Sequence, residues 1–175
     1  ANSTGKQNAA FGYQALQNST TVDNNVAFGY LSLNGVTTGA GNTAIGYQSG
    51  YSSVVANANT TGSNNTYVGY NAGPGSATQL TNSTAIGSYA TVSVSNGLVL
   101  GSIAGVNGAT TSAFVGIGTA SPASALDICG NERVVGTISA SGTITATSGI
   151  TCSSDRRYKK NILPLKDALN NVLKL

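Results

Sequence analysis

The chain has 175 residues, of which 40% are hydrophobic and 7% charged, with 23 glycines and no histidine, methionine or tryptophan. Its formal net charge of +3 is not spread along it: up to Leu126 the charged side chains are Lys6 and Asp23, and the other four acids and seven bases begin at Asp127. With no basic stripe along its length, the chain is not expected to bind nucleic acid. With Asp23 as the single acid of the first 126 residues, it lacks the paired carboxylates of a glycan-cleaving enzyme, and no metal or cofactor site is expected.

From the N-terminus one short string keeps returning: NAAFGYQA at 8–15, NVAFGYLS at 25–32, NTAIGYQS at 42–49, NTYVGYNA at 65–72, STAIGSYA at 83–90 and the degenerate GLVLGSIA at 97–104. Aligned on the shared glycine, the copies sit at Gly12, Gly29, Gly46, Gly69, Gly87 and Gly101, with spacings of 17, 17, 23, 18 and 14. Just before the glycine stand Phe11, Phe28, Ile45, Val68, Ile86 and Leu100. Just after it stand Tyr13, Tyr30, Tyr47 and Tyr70, then Ser88 and Ser102. Four residues before it come Asn8, Asn25, Asn42 and Asn65, then Ser83 and Gly97.

A few β-prone residues closed by glycine and followed by a polar stretch suit one strand and a turn per repeat, too short for a helix. Stacking such units places equal residues above one another and makes a solenoid, with the asparagines forming a hydrogen-bonded ladder. Regular placement of the hydrophobic residues argues against disorder. The fold class expected is therefore all-β: a parallel β-roll or β-solenoid over residues 1–118. One rung offers a single large apolar side chain plus an alanine, too little to offset ordering about seventeen residues at ~1–2 kcal/mol each. The missing partners are expected from other chains, against which Phe11, Phe28, Ile45, Val68, Ile86 and Leu100 would pack.

The polar connections QNSTTVDNN and LNGVTTGAG read as exposed turns. Residues 51–64 are the longest insertion, a loop of the kind that carries recognition on a rigid scaffold, with neutral length variation as the plainer reading. Tyr13, Tyr30, Tyr47 and Tyr70 form a column that reads first as structural, each ring covering the rung below, and second as a contact stripe for a carbohydrate. The five Asn-x-Ser/Thr sequons, at Asn2, Asn18, Asn59, Asn64 and Asn82, follow from composition and are given no role.

From Ala113 the pattern changes. Pro122 is expected to break the roll, and LDICG and ERVVG to form two short strands about a turn at Gly130-Asn131. A smaller unit follows, GTISA at 136, GTITA at 142 and GIT at 149, which suits an intertwined β-stalk over residues 119–153. Cys129 and Cys152 are separated by 22 residues along that stalk and are read as free thiols buried near the trimer axis rather than as a bridge. In the last segment, residues 154–175, Ile162, Leu165, Leu169 and Val172 follow the 3-4-3 spacing of a helix seam that packs on copies of itself. No run of ~20 apolar residues suggests a membrane span. No signal segment opens the chain at Ala1, inside a repeat, so a piece of a longer protein is expected.

The string N-x-A-(I/V/F)-G-Y-x-(A/S) resembles the head repeat of trimeric autotransporter adhesins and related phage tail fibres, over residues 1–118. The resemblance implies three chains wound side by side, with the residue before the glycine turned to the threefold axis. The phrase VGIGT..SP...LD..GN..V.G resembles the neck before the C-terminal domain of many tail fibres. The run from Ser154 to Ile162, SDRRYKKNI, resembles the opening of the endosialidase-type intramolecular chaperone domain, which drives trimerisation and then cuts itself off. It implies Ser154 as the nucleophile, the bond between Ser153 and Ser154 as the one cut, and Lys159 as the base. Only the start of that domain is present, so no self-cleavage is expected from these residues alone. The function expected is an extracellular fibre or adhesin segment, on a virion tail or a bacterial surface. Its partners would be its own copies and a surface glycan or protein receptor. A passive shaft, or far less readily a glycan-degrading tailspike, is the alternative.

Overall fold

The computed structural model describes residues 5–52 and 54–145. Six three-residue strands stack in parallel to form one sheet: β1 (Ala9–Phe11), β2 (Val26–Phe28), β3 (Thr43–Ile45), β4 (Thr66–Val68), β6 (Thr84–Ile86) and β8 (Leu98–Leu100). Between them the chain makes five turns of a parallel β-solenoid. The register follows the sequence repeat: Phe11 lies beside Phe28, Phe28 beside Ile45, Ile45 beside Val68, Val68 beside Ile86 and Ile86 beside Leu100.

Side chains alternate across the sheet, and it is the middle residue of each strand that points into the coil. Ala27, Ala44 and Ala85 are buried there, and in β4 the same place is taken by Tyr67. Tyr67 belongs to the longest turn of the solenoid, the 23-residue spacing, and its ring packs where Gly50 carries no side chain: a Cβ on Gly50 would run into Leu33 and Tyr67. Gly50 stands four residues after the repeat glycine, where the two preceding coils have Leu16 and Leu33, and the Tyr67 ring takes the space that this leaves.

The rest of the core corrects two expectations. The connections are not simply exposed turns, because Val22, Leu33 and Val36 within them are fully buried, together with Leu16, Leu80 and Val92. Each coil therefore closes a core of its own from strand residues on one side and lone aliphatics of the connections on the other. A rung is not limited to one alanine and one large side chain. Of these aliphatics Leu16 and Leu33 share a place, four residues after the repeat glycine, whereas the places 17 residues from Val22 and Val36 are held by Gly39 and Ser19, so these valines showed no periodicity.

Unequal lengths leave the sheet undisturbed because extra residues leave the coil at a pinch. The Asn59 N–H donates to the Gly50 carbonyl at 2.9 Å, closing off the insertion, which carries a 3₁₀ turn at Val55–Asn57. On its return strand the Gln79 side-chain oxygen accepts from the N–H groups of Thr60, Thr61 and Gly62 at 2.7, 3.0 and 3.3 Å. Turns four and five add a second small parallel sheet, β5 (Gly73–Pro74) with β7 (Thr91–Val92). Proline is tolerated there because the strand has only one partner.

After β8 the segment 102–113 folds back, and the Ala113 N–H donates to Ser102 O at 3.0 Å. Then β9 (Val115–Ile117) and β10 (Leu126–Ile128) pair in parallel. Pro122 therefore lies in the connection between two parallel strands, which form a sheet separate from the six-stranded one. The strand expected at ERVVG is not formed: Leu126–Ile128 takes Val115–Ile117 as its partner, which leaves residues 131–145 exposed and without a strand. The strands expected at GTISA and GTITA are absent from the described part of that stretch. Contacts divide the chain into one unit spanning Ala1–Glu132 and a second spanning Arg133–Leu175.

Candidate interaction surface

Three side-chain columns run along the stack, one buried and two exposed. The buried one is the asparagine ladder. The side-chain oxygen of Asn8 accepts from the Asn25 N–H at 2.8 Å, that of Asn25 from Asn42 at 2.8 Å, that of Asn42 from Asn65 at 3.0 Å and that of Asn65 from Ser83 at 2.9 Å. The amide nitrogens of the same four residues donate to the carbonyls of Val22, Gly39, Gly62 and Leu80 at 2.6, 3.0, 2.9 and 2.8 Å. Each asparagine therefore holds two backbone groups of the following coil, the N–H of the next ladder residue and the carbonyl three residues ahead of it. An amide is required, because the site needs one acceptor and one donor on a short arm.

Next to the ladder the repeat glycines bring backbones together. Gly12, Gly29, Gly46 and Gly69 have φ of 131, 140, 132 and 133°, and a Cβ on any of them would collide with the carbonyl of the next glycine in the column. This close approach fixes the exit angle of the chain and so sets the direction of the residues on both sides.

The residues before the glycine form the first exposed column. Phe28, Ile45, Ile86 and Leu100 are 40–53% exposed, Phe11 at the end of the stack 69%, and Val68 is half-buried. The Phe11 and Phe28 rings stack at 4.8 Å. Beside them on the same strands stand Val26, Thr43, Thr66, Thr84 and Leu98, so the outer face of the sheet is flat and largely aliphatic. These residues are not part of the core of the single chain.

The tyrosines form the second exposed column. Ring centroids step by 5.4, 5.0 and 5.0 Å from Tyr13 to Tyr30, Tyr47 and Tyr70, with interplanar angles of 11, 8 and 9°. Beyond Tyr70 the repeat has Ser88, and Tyr89 closes the column edge-on at 5.1 Å. Desolvation, and then the Tyr70 hydroxyl beside it, push the Tyr89 hydroxyl above its ordinary range. The ring faces are turned to one another, so the column offers solvent its ring edges and hydroxyls.

Sequence reading missed a clasp. The Asn107 side chain donates to Asn71 O at 2.5 Å and accepts from the Ser52 hydroxyl at 3.1 Å, tying the segment after β8 to the base of the insertion across 36 and 55 residues. No repeat includes Asn107, so no periodic signal marked it. Cys129 is exposed on the single chain and has no disulfide partner among the described residues. Ser154, Lys159, Ile162, Leu165, Leu169, Val172 and Cys152 lie outside the described residues. Among the described residues no group of three His, Cys, Asp or Glu side chains could hold a metal ion, and no helix is long and apolar enough to cross a membrane. No family model matches the chain, and neither the curated proteins nor the solved structures include one similar to it.

Proposed function

We propose that the chain is a segment of a homotrimeric extracellular fibre or adhesin, a rigid extended element for attachment to a cell surface. The observation that carries this reading is the outward column of Phe28, Ile45, Ile86 and Leu100, left 40–53% exposed although each coil has already closed its own core. A continuous apolar face on a soluble protein is ordinarily an interface. Burying a half-exposed aliphatic or aromatic side chain gains about 1 kcal/mol, and the solenoid repeats that gain at every rung. Three copies facing one axis would cover the column with equal residues from each chain, as the resemblance of the repeat implies. Ser154 and Lys159 would serve assembly through self-cleavage once the rest of a chaperone domain follows them.

Sedimentation equilibrium tests the oligomer: the expected mass is that of three chains. Ile45→Asp with Phe28→Asp should yield monomers that keep the β-rich circular dichroism spectrum, since neither side chain belongs to the coil's own core. A wild-type chain that sediments as a stable monomer at micromolar concentration would refute the trimer. In a longer chain carrying the whole chaperone domain, continued cleavage after Ser154→Ala would exclude that serine as nucleophile.

A further inference from the structure

The tyrosine column lies outside the buried cluster that forms the core of the coils. Its position after the glycine is held by Ser88 and Ser102 in the last two repeats, yet β6 and β8 stack in the same register as the strands before them. The solenoid therefore folds with a serine at this place, and the four tyrosines present something that serine does not. What they present is regular. Four parallel rings, 40–64% exposed, repeat at steps of 5.0–5.4 Å with their edges and hydroxyls outward. The edge of an aromatic ring carries the positive part of its quadrupole and attracts oxygen. Each phenol both donates and accepts a hydrogen bond. Alongside the rings lie the half-buried side chains of Gln14 and Gln48, which add amide donors and acceptors. Charge is nearly absent: up to Leu126 the chain has only Lys6 and Asp23.

We infer that the column Tyr13, Tyr30, Tyr47 and Tyr70 is a docking track for a neutral, linear polysaccharide lying parallel to the solenoid axis, one sugar residue to each rung. Uncharged chemistry follows from the repeats themselves, which up to Leu126 hold Lys6 as their single base, since an anionic glycan or nucleic acid would be met by a row of cations. Linearity follows from the constant step, which an extended pyranose chain can follow with one sugar per ring, whereas a branched glycan meets the repeat once. Sugars would contact ring edges and hydroxyls, because the ring faces are occupied by neighbouring tyrosines and cannot stack on a pyranose. The inference extends the attachment role proposed above by naming the ligand class, and it places that ligand on a column other than the aliphatic one assigned to the trimer.

Affinity electrophoresis through gels containing a soluble neutral β-glucan, with alginate as the anionic control, tests the track. The expected result is retardation by the neutral polymer, insensitive to salt, and at least ten-fold weaker for Tyr30→Phe/Tyr47→Phe/Tyr70→Phe, which keeps the stacked rings and removes only hydroxyls. Titration with oligosaccharides of increasing length should show affinity rising up to about four units and then levelling. Absence of retardation by the neutral glucan, equal binding by the triple variant, salt-sensitive binding to alginate alone, or tyrosines shielded from iodination by a neighbouring copy would each overturn it. Sedimentation of the same samples keeps the two readings apart: a trimer without glucan binding sinks only the track, and a glucan-binding monomer sinks only the trimer.

Discussion

Replacing Asn42 by alanine removes a buried amide that serves two backbone groups of the next coil. The side chain accepts from the Asn65 N–H at 3.0 Å and donates to the Gly62 carbonyl at 2.9 Å, and Asn42 is fully buried. Alanine leaves the Asn65 N–H without a partner away from water, at a cost of about 1–3 kcal/mol. The Gly62 carbonyl loses less, because the Asn59 amide also donates to it at 3.3 Å. The expected loss is thus about 2–4 kcal/mol, read as a lowered urea midpoint with unchanged slope in denaturation followed by circular dichroism. Asn42→Asp sharpens the test, because a carboxylate keeps the acceptor but faces the Gly62 carbonyl without a proton to donate. Only the protonated acid satisfies both groups, so its pKa rises on folding. The variant should be most stable below about pH 4, where the acid is protonated folded and unfolded alike, and should lose stability as pH climbs past the unfolded value. Asn8→Ala, at the half-buried end of the ladder, should cost less than Asn42→Ala. A loss under ~0.5 kcal/mol for Asn42→Ala, the range of an ordinary surface substitution, would refute the ladder as a stabilising element, and an Asp variant whose stability rises with pH would refute the account of the donor.

Leu33 lies fully buried in a connection that reads as polar, and Leu33→Ala should cost about 2–5 kcal/mol in the same urea assay; a surface-like loss would mean that the connections do not anchor the coil. Tyr67 is fully buried with a hydroxyl that has no hydrogen-bond partner among the described residues. Burial pushes that hydroxyl up to about 12, and Ser83, already donating to Asn65 at 2.7 Å, offsets this only in part. The folded state therefore holds the neutral phenol while the unfolded chain ionises first, so stability should fall as pH rises from about 10 to about 12, by up to ~3 kcal/mol. Tyr67→Phe should match the wild type or gain ~1 kcal/mol at neutral pH and should shift the alkaline unfolding midpoint upward; an unmoved midpoint would contradict the assignment.

The sequence alone determined the elements that recur. Every strand of the main sheet, its register, the glycine corners and the asparagine ladder were legible because a parallel solenoid places equal residues above one another, so geometry in one rung appears as a repeat in the string. The exposed columns were legible for the same reason: Ile45 and Tyr47 bear a fixed relation to Gly46 whatever the length of the coil. Tertiary structure decided what does not recur. Val22 and Val36 are core residues only because their connections fold back into the coil, and no spacing announces them, the places 17 residues away being Gly39 and Ser19. Tyr67 takes an interior place held by alanine in the neighbouring strands because Gly50 leaves room for its ring. β10 pairs with β9 rather than with the segment after Gly130, a choice between two partners that local propensity does not distinguish. Asn107 reaches Asn71 and Ser52 across the stack, a contact between rungs far apart in the chain that only the coiled backbone brings within hydrogen-bonding distance.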